Sequence, residues 1–182
     1  MRNHRSEWGN QTLEFTMVGI PLTFILFSIA NMSLSMVTMH TMQEAVEQGA
    51  RYVATRGSDC SSGSNTCTVT VEQIATLISV ASAGISASKM NVTLTPAADT
   101  SNAISCSPLN TCLAGCGGSC NANLTTVWPT STNSDNAPGK DIIISATCAV
   151  NAPMLLFWPG NSSTKNIGST TYSAYSRQRL MF

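Results

Sequence analysis

The 25 residues from Phe15 to Met39 contain no Asp, Glu, Lys or Arg, and nothing else in the chain restricts its fold as strongly. As an α-helix, at about 1.5 Å per residue, the segment is roughly 38 Å long, more than the ~30 Å hydrocarbon core of a bilayer requires. A secretory signal peptide has an apolar core of only about 7–15 residues before its cut site, so this run reads as a membrane anchor that stays with the protein. One acidic residue, Glu14, stands at the mouth of the segment. An ionised carboxylate is costly there, which marks it as a functional candidate.

The flanks give the orientation. Arg2 and Arg5 precede the span, whereas Gln43, Glu44, Glu47 and Gln48 follow it with no cation before Arg51. By the positive-inside rule the amino end is expected in the cytoplasm and the carboxyl-terminal bulk outside. Seven cysteines in the chain agree with an oxidising, periplasmic or cell-surface location.

Net charge is zero, and Lys and Arg are scattered singly after residue 51. No basic stripe exists to neutralise a phosphate backbone, so nucleic acid is not an expected partner. Both histidines, His4 and His40, lie outside the carboxyl-terminal region, and neither a carboxylate pair nor a phosphate loop stands out. An enzyme and a cofactor are therefore not expected.

The helical period continues past the membrane. Met42, Ala45, Val46, Gly49, Ala50, Val53 and Ala54 recur at i, i+3, i+4, i+7, i+8, i+11 and i+12, with Gln43, Glu44, Glu47, Gln48, Arg51 and Arg56 off that stripe. One helix is predicted from near Thr12 to Arg56, with Glu47 and Arg51 as an i, i+4 pair and Gly57 as the stop. Pro21 cannot donate to the carbonyl of Met17 and is expected to kink the helix or open a local gap in its hydrogen bonding. Ser28, Asn31, Ser33, Ser35 and Thr38 supply polar atoms that can hydrogen-bond across membrane helices for about 0.6 kcal/mol each, the alternative being a plain anchor that tolerates them.

The outer region reads as α+β. Thr70-Val71-Glu72-Gln73 is a capping box opening a helix that carries Ile74, Leu77, Ile78, Ala81 and Ile85 and is predicted to end near Lys89. Val92 and Leu94 mark a short strand that stops at Pro96. Asp141 to Val150 and Ile167 to Gln178 mark two more. The expected architecture is a long amino-terminal transmembrane helix continuing into one or two helices on a short antiparallel sheet, stapled by disulfides.

Residues 97–140 break the pattern with Ser, Asn, Thr, Gly and Pro and contain Cys106, Cys112, Cys116 and Cys120. They read as a crosslinked insertion. No histidine lies nearby and no C-x2-C pair occurs, so a metal site is not expected. Cys60 and Cys67 are close enough to bridge across a turn containing Gly63. Cys148, on the apolar face of a strand, is either a buried free thiol or a tie between insertion and sheet. Ala152 to Pro159 is too short to span a bilayer and too apolar for an ordinary exposed loop. It reads either as folding over the core or as touching membrane or a partner. Arg177 and Arg179 read as solvated surface.

Residues 9 to 57 resemble the TadE-like pseudopilin family of tight-adherence (Flp) pilus assembly, a type IV pilin-like group. The likeness is carried by Gly9, four residues, Glu14-Phe15, a long apolar helix and the block Glu47-Gln48-Gly49-Ala50-Arg51-Tyr52-Val53-Ala54-Thr55-Arg56-Gly57, with Cys60 and Cys67 following. Phe15 stands where such proteins more usually have Tyr.

The resemblance implies a prepilin-type leader at 1–9, a transmembrane and assembly helix at 10–57 and an extracytoplasmic domain at 58–182. It places cleavage by a prepilin peptidase between Gly9 and Asn10, which makes Glu14 the fifth residue of the mature chain. Glu14, Phe15 and Pro21 become the assembly residues. The implied function is that of a minor pilin-like protein of the bacterial inner membrane that helps to build or anchor a pilus. Its implied partners are the peptidase, other pilus or pseudopilin subunits and assembly-platform proteins. The alternative is an uncleaved single-pass receptor or adhesin whose cysteine-rich insertion binds a ligand.

Overall fold

The computed structural model describes residues 7–56, 61–62, 65–66, 68–97, 100–118, 120–151 and 169–181. They fall into two units, one holding the amino-terminal helix up to Met36 and the other running from Val37 to Asn151 and again from Ser169 onward.

Helix α1 spans Glu7–Ala54. It starts earlier than the span signal and ends two residues before Arg56, the predicted last helical residue. From Met42 onward the predicted stripe is the buried one: Met42, Ala45, Val46, Gly49, Ala50, Val53 and Ala54 all sit in the core, while Gln43, Glu44, Gln48, Arg51 and Arg56 are exposed. Each large apolar side chain on this face contributes roughly 1.5–3 kcal/mol, an upper estimate because the unfolded chain already buries part of it.

A small ladder pairs β1 (Ser61–Ser62) with β2 (Asn65–Thr66). Cys60 and Cys67 lie outside the described residues. Helix α2, Val71–Ala81, opens on the predicted box: the Gln73 amide donates to Thr70 Oγ1 (3.3 Å) and Gln73 Oε1 accepts from the Thr70 amide (3.1 Å). The remaining two first-turn amides also find partners, Val71 on the carbonyl of Thr126 and Glu72 on that of Leu124. All four donors that a helix start leaves open are thereby satisfied, two of them by the 97–140 segment.

Helix α2 does not reach Lys89. The amide of Ser82 donates to the Ile78 carbonyl, the Ser82 hydroxyl to that of Ser79, and Gly84 follows at φ +87°. A residue in that left-handed region turns the chain out of the helix. Ile85, read as part of the helical face, instead packs partly buried from the turn.

The sheet has the order β4-β3-β5-β6, antiparallel throughout, with β3 at Met90–Pro96, β4 at Ile104–Cys106, β5 at Asp141–Asn151 and β6 at Ser169–Arg179. Its register pairs Met90 with Cys148, Leu94 with Ile144 and Pro96 with Ile142, then Asp141 with Arg179 and Cys148 with Tyr172. Alternation by two puts Met90, Val92, Leu94, Ile142, Ile144, Ala146, Cys148 and Ala174 on the buried face. The face bearing Asn91, Thr93, Thr95, Ser145 and Thr147 is more exposed.

Strand β4 was not expected. It lies inside the segment read as a patternless insertion, paired with β3 at Val92↔Cys106, and three residues are too short to display a period. The same segment buries Leu109, Cys112 and Trp128 completely, and the Trp128 amide donates to the Val69 carbonyl. Residues 97–140 thus close one side of the core. Ala152 to Pro159 lies outside the described residues.

Candidate functional site: the two parts of the amino-terminal helix

Of the sequence candidates, Gly9 and Asn10 fall in the first turns of α1, and Glu14, Phe15 and Pro21 follow on the same helix. Glu14 is exposed, as are Phe15, Val18, Phe24, Leu26, Phe27 and Leu34. An apolar coat on every side of a helix is suited to hydrocarbon or to other apolar helices.

Four polar side chains in this part donate to the helix's own backbone. Thr16 donates to the Leu13 carbonyl (2.9 Å), Thr23 to those of Gly19 (3.0 Å) and Ile20 (2.8 Å), Asn31 Nδ2 to that of Phe27 (3.0 Å) and Ser33 to that of Ile29 (2.9 Å). The helix continues through Pro21. These four side chains therefore find acceptors within the helix itself, the condition for placing them in lipid. The Asn31 carbonyl oxygen keeps acceptor capacity for a neighbouring helix.

The later part of α1 gives the Glu47 to Arg56 block a physical reading, position by position. Gly49 sits so close to α2 that a Cβ there would lie 3.0 Å from Ile78 Cγ1 and 3.2 Å from its Cδ1. Ala50, Val53 and Ala54 are buried. Arg51 Nη2 bonds Glu47 Oε1, one turn away. Arg56 lies over the Tyr52 ring at 4.4 Å and donates to its hydroxyl (2.6 Å).

Gln43 Nε2 of α1 donates to the Tyr175 carbonyl of β6 (3.0 Å), and the Met181 amide, two residues past the end of β6, donates to the Ala54 carbonyl (3.2 Å). The second satisfies one of the acceptors that a helix end leaves open.

Elsewhere, Cys106 is bonded to Cys112 and Cys116 to Cys120. Cys148 forms no disulfide. It is a free thiol, 2% exposed on the inner face of β5, and burial pushes its pKa up while the nearby Lys89 charge opposes that shift. Among the described residues no three His, Cys, Asp or Glu side chains gather as a metal centre would require.

Arg177 and Arg179 do more than face solvent. Arg177 Nε and Nη2 donate to Asp141 Oδ2 (2.9 and 2.6 Å) and Arg179 Nε to Oδ1 (3.3 Å). The Arg177 hydrogen bonds hold the Asp141 carboxyl below its ordinary range. Sequence reading missed this cluster. Its signal was present in Asp141 at the head of one strand and two arginines two residues apart on another.

Residues 9–51 match the family model described as TadE-like protein, the family that the Gly9/Glu14 spacing and the block after the span resemble. The matched stretch is less than half of the chain and covers the anchor together with most of the buried stripe. No curated protein and no solved structure matches the chain.

Proposed function

We propose, from the premise that residues 9–51 are TadE-like, that this chain is a non-catalytic membrane subunit that helps to build or anchor a tight-adherence pilus. In this reading a prepilin peptidase cuts between Gly9 and Asn10, the amino end faces the cytoplasm and the α+β domain is held outside the inner membrane. The observation that carries the proposal is α1 itself. Its amino-terminal part presents apolar side chains on all sides with Glu14 at the entrance, and its later part is built into a domain core.

The proposed role of Glu14 follows from charge. Cleavage frees an amino group on Asn10, four residues before the carboxylate, and the two offset each other's burial within a subunit or between neighbours. Gly9 lets a membrane protease approach the backbone closely. The cut bond lies near the start of α1, where the first amides lack intrahelical partners and fraying is easiest. A photoreactive residue at position 14, activated in cells assembling pili, is expected to capture another pilus component. Capture of lipid alone would remove Glu14 from assembly.

A further inference from the structure

We propose that the pole of the domain formed by the turn Ser82–Lys89 and the end of β5 is a docking surface for anionic phospholipid headgroups, with Lys89 as its cation. The inference rests on the anchoring part of the function proposed above and goes beyond it, because it brings the folded domain itself onto the membrane.

Depth comes first. Thr38 lies one residue before the end of the charge-free segment. It lines a cavity of about 240 Å³ with Ile85, Ser86, Lys89, Cys148 and Val150. The headgroup zone is about 5–8 Å thick on each side of the hydrocarbon, so side chains that share a cavity with Thr38 stand at its level.

Charge comes next. Among the described residues, the stretches that the fold brings to this pole are 37–43, 82–92, 145–151 and 169–176, and none of them holds an Asp or Glu. Lys89 is exposed and is the one Lys or Arg among them. Around it are small apolar groups and hydroxyls, with the Ser86 and Ser88 oxygens 2.8 Å apart and Gly84 exposed where the chain turns. A cation set among hydroxyls and small apolar side chains suits lipid phosphates, whereas an acidic neighbour would repel them. At the far end of β5, eleven residues and so roughly 35 Å away, Asp141, Arg177 and Arg179 form a mixed-charge cluster. The two ends of the domain therefore differ in the chemistry they offer a membrane.

The test uses the full chain in vesicles of phosphatidylcholine with phosphatidylglycerol, carrying a fluorescent unnatural amino acid at position 28, 88 or 140. Headgroup nitroxide lipid is expected to quench the probe at 88 and not at 140. Nitroxide phosphatidylglycerol should quench at 88 more effectively than nitroxide phosphatidylcholine by about fivefold, the partition expected for one cation at an anionic surface. That preference should disappear in Lys89→Ala. Acyl-chain nitroxide should quench the probe at 28. If 28 is quenched but 88 responds no more than 140, or if the lipid preference survives Lys89→Ala, the docking surface is refuted and the anchor stands. If 28 is not quenched, the anchor fails and the docking surface with it.

Discussion

Gly49→Ala opposes two effects of similar size at one position. In an exposed helix interior, Gly to Ala stabilises by about 1 kcal/mol through backbone entropy. Here the added methyl would lie 3.0 Å from Ile78 Cγ1, 3.2 Å from Ile78 Cδ1 and 3.8 Å from Ile144 Cδ1. Ile78 and Ile144 are fully buried, so the isoleucine has little room to withdraw. Overpacking of this kind costs about 1–3 kcal/mol, and after the propensity gain the net destabilisation is about 1 kcal/mol. The assay is denaturant unfolding of the full chain in detergent, followed by near-UV circular dichroism, for Gly49→Ala, Ile78→Ala and the double variant. Ile78→Ala alone should cost about 2–5 kcal/mol. The double variant should be more stable than the sum of the single effects by at least about 0.5 kcal/mol, because the methyl then enters vacated space. If Gly49→Ala stabilises the domain by about 1 kcal/mol and the two changes are additive, the close approach of α1 to α2 is wrong.

Thr70→Ala removes one half of the capping box and should cost about 1 kcal/mol in the same unfolding assay, whereas Thr70→Ser should be close to neutral. Asp141→Asn should flatten the acid limb of the stability curve. The Asp141 pKa is depressed in the fold, so its contribution is complete above the unfolded carboxyl value near pH 3.9 and is lost as pH falls through the folded one. Denaturation midpoints between about pH 5 and pH 2 should therefore fall more steeply in the parent than in the variant. The peptide bearing Cys148 should resist alkylation in the native protein and react after denaturation, read by mass spectrometry. Rapid native labelling would contradict the buried thiol.

What could be read directly from the sequence was whatever repeats with a period. The α1 stripe needed only the 3.6-residue spacing of Met42 to Ala54, and β5 only the alternation from Ile142 to Cys148, because each element places a continuous apolar row on a single core. The end of α2 escaped because apolar residues keep helical spacing through Ile85 while Ser82 and Gly84 terminate the helix locally. Residues 97–140 escaped for the opposite reason. β4 is too short to show a period, and Trp128 reaches the core from a loop held by a backbone bond to Val69 rather than through a pattern. In the candidate site, Gly9, Glu14 and the block after the span were visible as a motif. The close contact at Gly49 and the Tyr52–Arg56 stack, which give that block its physical basis, required the neighbouring elements in place.

The most direct test of the pilin-like reading is the intact mass and amino-terminal sequence of the membrane-extracted protein from cells that contain a prepilin peptidase. Loss of residues 1–9, with Asn10 as the first residue, is expected for the parent and should be abolished by Gly9→Ala or by deleting the peptidase. A full-length chain beginning at Met1 in the mature complex would contradict processing and leave only an uncleaved anchor.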